Sequence, residues 1–413
     1  MRGKPVAAIT FQEFAAMKPR SALAQALPRS GIREVMDLAR QMDDVIVLVV
    51  GEPSFNTPPH IIDAAARAAH GGTTKYTPNA GLPGLRAAVA DRYSRKFGRE
   101  VTPAEVLVTA GAVNALAAIV AAIAEEGDEI MIPDPGWPNY VAMIELARVV
   151  PVRYRLEPDQ GYRPDLAAME AQITPRTKAI IINNPSNPTG GVFDEATVKC
   201  LVELARKHDL WLISDEVYED LIFAGEHVPA ARFDSERVIT VSGVSKSYAM
   251  TGWRIGWAIT NPELVALCGK IQEALVSCPP APSQAAAEAA VRGSQDMVEE
   301  MRVAYQRRRD LVRDIFLPLG MLPAVPEGAF YALVDLRGAG IPSRDLSRML
   351  LEEEHVAAAP GSTFGDVAEG MLRISLATAD DDLREGCERI VRFARRHGAL
   401  AAEPEPATAG ATA

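Results

Sequence analysis

Residues 178–218 read KAIIINNPSNPTGGVFDEATVKCLVELARKHDLWLISDEVY. The stretch opens on a nearly continuous apolar run, Lys178–Asn183, the texture of a strand covered on both faces. It continues through a helical pattern, Asp194–His208, and closes on a second apolar run, Leu210–Ser214. Strand, helix, strand predicts two parallel strands joined by a crossing helix. The same alternation extends outward. Glu105–Thr109, Glu129–Ile132, Val238–Val241 and Arg254–Thr260 read as strands, and Ala112–Ala124, Asn139–Ala147 and Pro262–Leu275 as helices. The fold class is therefore α/β, with a mostly parallel central sheet covered by helices.

Beyond Pro279-Pro280 the texture changes. A long helix is predicted over Ser283–Phe316, then strands at Ala329–Val334, Val356–Ala359 and Leu372–Ser375, with helices at Ser343–Glu353 and Asp380–Arg396. This reads as a smaller α+β domain, which the segment before Gly51 is expected to rejoin. The expected division is an arm and part of the small domain at 1–50, a large domain at 51–310, a small domain at 311–400 and a frayed tail at 401–413.

The 413 residues are 48% hydrophobic and 23% charged, an ordinary globular balance rather than a disordered or disulfide-stapled one. Forty-three basic against 54 acidic residues leave a net charge of −11, which argues against a nucleic-acid partner. The longest apolar runs, Val45–Val50 and Ala112–Ala124, fall short of the ~20 residues that cross a bilayer. The first 30 residues lack the apolar core of a secretory signal. Cys200, Cys268, Cys278 and Cys387 form no CxxC pair and read as buried thiols of a reducing compartment. No metal-ligand spacing is present. A soluble cytoplasmic protein is expected.

In a parallel sheet, ligands bind beyond the carboxyl ends of the strands. Those ends run into Asn184–Gly190, Asp215–Tyr218, Ser242–Lys246 and Ala110–Asn114, so an acid, a lysine, an amide and a glycine turn converge on one edge. A neutral Lys246 amine can capture an aldehyde. Ser245, Arg254 and the helix start after Gly111 suit a dianionic phosphate. Asp215 follows an apolar strand and, if buried, needs a cation or hydrogen-bond donors; a core salt bridge would serve, and so would a protonated ring nitrogen. Tyr218 can aim its hydroxyl at a neighbouring phenolate-like oxygen. Aldehyde, phosphate and pyridinium together describe pyridoxal 5′-phosphate. Lys178, by contrast, opens its strand and should point to the far edge.

Six segments carry a wider likeness: Gly51–Phe55, Lys75–Gly81, Asn184–Gly190, Ser214–Tyr218, Ser245–Gly256 and Arg373–Ala377. In order and spacing, over about residues 30–395, the chain resembles the class I/II aminotransferases of fold type I, in their bacterial aspartate-aminotransferase-like branch. The resemblance implies a ping-pong transfer of an amino group between an L-amino acid and a 2-oxo acid. It implies that Lys246 binds the cofactor and shuttles the proton, while Asp215 faces the pyridine nitrogen. Tyr218 and Asn187 would bond the phenolic oxygen, and Trp137 would stack on the ring. Gly111, Ala112, Val113, Ser245, Arg254 and Tyr76 would hold the phosphate, Tyr76 donated by the second subunit of a homodimer. Arg373 would clamp the substrate carboxylate near Asn187, Trp137 and Gly51.

Two departures stand out. Val113 replaces a lysine that aspartate-handling relatives often carry, which leaves Arg33 as the alternative side-chain cation. Gly243 stands where some relatives have serine. A lyase or decarboxylase on the same fold, and a non-catalytic cofactor-binding regulator, remain alternatives. A nicotinamide dehydrogenase would need a GxGxxG motif that is absent.

Overall fold

The computed structural model describes residues 18–27 and 30–401. The expected tail, apart from Ala401, and residues 1–17 and 28–29 of the arm lie outside them. Twelve strands run in chain order: β1 (Ile46–Val47), β2 (Val106–Thr109), β3 (Glu129–Asp134), β4 (Val150–Arg155), β5 (Thr177–Asn183), β6 (Trp211–Asp215), β7 (Val238–Gly243), β8 (Gly256–Ile259), β9 (Tyr331–Asp335), β10 (Val356–Ala357), β11 (Ala359–Pro360) and β12 (Met371–Ser375). Seven form one sheet in the order β2-β8-β7-β6-β5-β3-β4. Only β8 runs against the others, antiparallel to both β2 and β7.

Successive side chains on a strand point to opposite faces. Met131, Ile180, Ile182, Leu212 and Val238 enter one cluster with Leu85 and Val89 of the helix Pro83–Phe97 and Val198 and Leu201 of the helix Glu195–Lys207. Ile130, Ile132, Ile181, Ile213 and Ile239 enter another with Leu116 and Ile119 of the helix Ala112–Ile123 and Leu264 and Val265 of the helix Pro262–Val276. Burial on both faces explains why these strands read as unbroken apolar runs.

A second group of elements follows. The antiparallel sheet β11-β12-β9 buries Leu372, Ile374 and Val334 against Val312 and Phe316 of the helix Asp296–Phe316 and Ile390 and Phe393 of the helix Asp380–Arg396. β1 pairs in parallel with β10, so the early chain joins this group. The helix Gly31–Ala39 packs Val35 and Ala39 onto Ala357, Ala359 and Phe364.

Four expectations need correction. β4 was not anticipated, because this edge strand leaves Val150, Arg153 and Arg155 exposed and so lacks the apolar run. The helix expected over Ser283–Phe316 is two, Ala281–Arg292 and Asp296–Phe316, parted where Gly293 passes His60; a Cβ there would sit 2.9 Å from its ring. The strand expected over Val356–Ala359 is divided between β10 and β11, which pair with different partners. Buried thiols hold for Cys268 and Cys387, whereas Cys200 is exposed and Cys278 half-buried. Among the described residues no helix is long and apolar enough to cross a membrane.

Behind the sheet edge lies a buried ionic cluster that spacing did not reveal. Glu219 accepts from Tyr93 Oη at 2.5 Å, Lys96 Nζ at 2.6 Å and Ser242 Oγ at 3.1 Å. Asp220 accepts from Arg92 at 2.6 Å and Lys96 at 3.2 Å. Glu216 and His227 approach the same place, their ligand atoms and one of Glu219 lying within 4.8 Å. Glu219 thus accepts three protein donors, while Glu216 Oε2 lies 3.4 Å from His227 Nε2. Removing one cation from such a network leaves buried carboxylates short of charge. Lys96→Met should therefore cost about 3 kcal/mol of stability. Denaturant unfolding checks this, and a midpoint equal to the parent's would contradict it.

Candidate active site

Register brings the predicted groups to one edge. Asn183 at the end of β5 pairs with Asp215 at the end of β6, and Asp215 pairs with Val241 in β7. Because β8 is reversed, its first residue, Gly256, meets both Thr109 of β2 and Gly243 of β7. The turns holding Gly111, Trp137, Lys246 and Arg254 therefore open on the same side. A cavity of about 570 Å³ lies there. Its wall includes Lys246, Asp215, Tyr218, Trp137, Asn187 and Ser245, together with Ala112, Val113, Arg254, Gly51 and Arg373.

Asp215 is buried, and its oxygens are held. Tyr140 Oη donates to Oδ2 at 2.6 Å, and the Val217 amide approaches Oδ1 at 3.4 Å. Burial pushes the carboxyl up to about 6, against the pull of these donors and of Lys246. Tyr140 was missed by sequence reading. It sits in the helix Asn139–Leu146, just after Trp137, with the two rings edge-to-face at 5.4 Å. Its only sequence signal is that a tyrosine follows the proline-rich turn of Trp137 by three residues, placing it one helical turn on.

Lys246 Nζ donates to the Gly51 carbonyl at 2.6 Å. Burial, then the Arg373 guanidinium, push its ammonium down to about 8. This downward shift raises the neutral fraction, the form in which an amine captures an aldehyde. Gly51 has no room for a side chain, since a Cβ would stand 2.5 Å from the Tyr331 hydroxyl.

Arg254 is not in the strand where the sequence placed it. It precedes β8 in the left-handed region, φ 55°, and donates to the Thr251 carbonyl at 2.9 Å. Its guanidinium faces Gly111, whose missing Cβ would lie 2.4 Å from Nη2. Gly111 has φ 83° and caps the helix Ala112–Ile123, whose first N–H groups have no partner within the helix. No acid pairs with Arg254 among the described residues. A cation, a serine hydroxyl from Ser245 and a free helix N-terminus thus line one part of the cavity, a donor set of the kind that suits a phosphate.

Arg373 is 1% exposed. Nη1 donates to Asn187 Oδ1 at 3.2 Å and Nη2 to the Val49 carbonyl at 2.5 Å. Its plane lies over Tyr331 at 4.3 Å and Phe364 at 4.9 Å. Nε has no hydrogen-bond partner, and no carboxylate lies within ion-pair reach among the described residues. Tyr331 also exchanges a hydrogen bond of 3.1 Å with Tyr218, whose phenol burial holds well above its ordinary range. Tyr218 thus keeps its phenolic proton.

Three other sequence readings are placed as follows. Lys178 stands at the start of β5, outside the cavity wall, and pairs with Asp128 at 3.8 Å. Gly243 leaves no room for the serine of some relatives, as a Cβ would come 2.8 Å from Gly256 Cα. Tyr76 is 89% exposed and is not brought to the cavity within one chain.

The chain matches the family of aminotransferases of class I and II over residues 43–390. It belongs to that family. The aspartate/prephenate aminotransferase of Thermus thermophilus is 39% identical over 384 residues, 92% of this chain and 97% of that protein. The aspartate aminotransferase of Pyrococcus abyssi is also 39% identical, covering 89% of this chain and 96% of its own. Among solved structures, the Thermus thermophilus aspartate aminotransferase with maleate superimposes with a TM-score of 0.87 at 39% identity, covering 91% of this chain and all of that one. An aromatic aminotransferase from Pyrococcus horikoshii gives 0.84 at 37% identity, with 89% of this chain and all of that one covered. Pyridoxal phosphate is the cofactor of this family, and the fold is type I. The aminotransferase has, in Lys246, Asp215 and the Gly111–Arg254 cradle, groups whose chemistry fits it.

Removing the Tyr140 hydroxyl takes away a donor that favours ionised Asp215. Tyr140→Phe should therefore raise the Asp215 midpoint further above about 6 in the cofactor-free protein. Carboxyl-carbon NMR titration checks the direction; a fall, or no change, would be the wrong outcome.

Proposed function

We propose that this aminotransferase carries an amino group from an L-amino acid to a 2-oxo acid by a ping-pong route through the cavity around Lys246. One observation carries the reading. Arg373 is buried, has an idle Nε and lacks a carboxylate, and it shares a cavity with a buried amine. A buried guanidinium without a counter-ion is costly unless a ligand supplies one. A planar guanidinium pairs bidentately with carboxylate, the group common to amino and 2-oxo acids.

When bound, pyridoxal phosphate supplies an aldehyde and an electron-withdrawing ring that makes the substrate Cα–H acidic. Lys246 would hold the cofactor and, once displaced by the substrate amine, take the Cα proton on Nζ. General acid–base steps of this kind contribute roughly 10²–10⁴-fold. Asp215, steadied by Tyr140, would keep the ring nitrogen protonated. Tyr218 and Asn187 would donate to the phenolic oxygen, and Trp137 would cover a ring face. Gly111, Ala112, Val113, Ser245 and Arg254 would hold the phosphate. Gly51 would leave space beside the substrate.

The cavity wall also holds Ile32, Met36, Val50 and Val113, with Arg33 and Arg40, and these residues would meet the substrate's far end. Arg40 pairs with Asp37 at 3.4 Å, whereas the Arg33 guanidinium has no partner among the described residues. An apolar pocket with one idle cation suits both acidic and aromatic side chains. This agrees with relatives named for aspartate, prephenate and aromatic amino acids.

We also propose the two-domain division at about residue 310, a cytoplasmic location and a homodimer in which Tyr76 completes the partner's phosphate site. Support for the dimer comes from the 89% exposed Tyr76 ring, which lies in a segment tied to the helix Pro262–Val276. Gln272 Nε2 donates to the Asn79 carbonyl at 2.6 Å, and Leu275 and Val276 stand exposed nearby. An apolar surface of this kind suits a two-fold interface.

Lys246→Ala should lose turnover and the absorbance of the lysine-bound cofactor. Undiminished turnover would refute the assignment. The purified protein, offered a panel of amino acids, should bleach that absorbance and release 2-oxo acids. Ammonia or carbon dioxide release instead would mean a lyase or decarboxylase.

Arg33→Met should cut kcat/KM for aspartate by about tenfold, the worth of one charge-assisted hydrogen bond, and spare aromatic substrates. Equal losses for both classes would remove Arg33 from the pocket.

A further inference from the structure

The loop that carries Phe364 is tied to the central sheet at a place no part of the mechanism uses. Asp134 ends β3 and is 2% exposed. Its Oδ2 accepts from the Asp366 amide at 3.2 Å and its Oδ1 from the Val367 amide at 3.1 Å. The Gly136 amide donates to the Phe364 carbonyl at 2.8 Å, and Arg153 Nη1 reaches the same oxygen at 3.5 Å. Gly365, φ 143°, lies so close that a Cβ would fall 2.0 Å from Asp134 Oδ1.

Both ends of this contact lead into the cavity. On the sheet side, Trp137 follows Asp134 by three residues and stands in the cavity wall. On the loop side, the Phe364 ring stacks on the Arg373 guanidinium at 4.9 Å and also packs against Val35 and Ala39 of the helix that carries Arg33. A buried carboxylate that accepts two backbone amides is a strong and directional tie. It is also a costly one to build unless rigidity there is useful.

We infer that Asp134 is a positioning residue, a clasp that sets Arg373 against the Trp137 turn and so fixes where the substrate carboxylate sits. This rests on the reading of Arg373 as the carboxylate clamp. Asp134 touches neither substrate nor cofactor and acts only through the 364–367 loop.

Two holoenzyme variants loosen the clasp from opposite sides. Asp134→Asn keeps the shape but offers one amide an N–H instead of an acceptor. Gly365→Ala leaves the carboxylate and wedges the loop away. Each should raise KM for the amino substrate about tenfold, the worth of one hydrogen bond to a charged group, while kcat falls much less. Pyridoxal phosphate affinity of the cofactor-free protein, read by tryptophan fluorescence, should hold within about threefold, because Lys246, Gly111 and Arg254 make no hydrogen bond to the 364–367 loop among the described residues. Arg373→Lys is the control, and Asp134→Asn added to it should cost less than the two singly, as coupled residues do.

Unchanged KM in both loop variants, with Arg373→Lys impaired, would overturn the clasp. So would a joint fall of KM performance, cofactor affinity and thermal stability, which marks a general structural role. Wild-type KM in Arg373→Lys would instead defeat the carboxylate reading, and the clasp with it.

Discussion

The site depends on keeping opposite charges buried in one cavity without letting them neutralise each other. Asp215, Lys246 and Arg373 all line the same space, yet no ion pair joins any two of them. Asp215 is occupied by Tyr140, Lys246 by the Gly51 carbonyl, and Arg373 by the Asn187 and Val49 oxygens. Neutral partners steady each group while leaving its charge, or its proton, available. That arrangement is expensive in folding terms and makes sense where ligands bring the missing charges.

The sheet makes such an arrangement possible. Six strands end on the same side and deliver short turns there, while helices on both faces exclude water from the strands themselves. Arg373 arrives from elsewhere, on β12 of the smaller sheet, and reaches the cavity across the contact of Phe364 with the Trp137 turn. The site is therefore composite. Lys246 and Asp215 come from the central sheet, and the Arg373 guanidinium is brought in by a separate set of elements.

Much of this was legible in the chain itself. Unbroken apolar runs marked the strands because both faces are covered, and the polar residues just after each run, such as Asp215 and Lys246, marked the edge. The reading failed where that physics does not apply. β4 is an edge strand with exposed arginines, and the glycine at 293, which caps the helix Ala281–Arg292, is a local stop signal that was passed over. Tyr140 and Asp134 escaped notice because their importance lies in partners 75 and more than 200 residues away. The divided 356–360 stretch shows the same limit, since its two halves pair with partners remote in sequence.

The reversal of β8 has a kinetic consequence. Since Gly243 and Gly256 are paired directly, residues 244–255 form a strap whose two feet are riveted side by side. Both the amine and the phosphate cation ride on that strap. Its closure is already completed by the sheet before any small molecule arrives, so capture of the cofactor orders little additional chain. Loading then requires no folding of the loop around its guest.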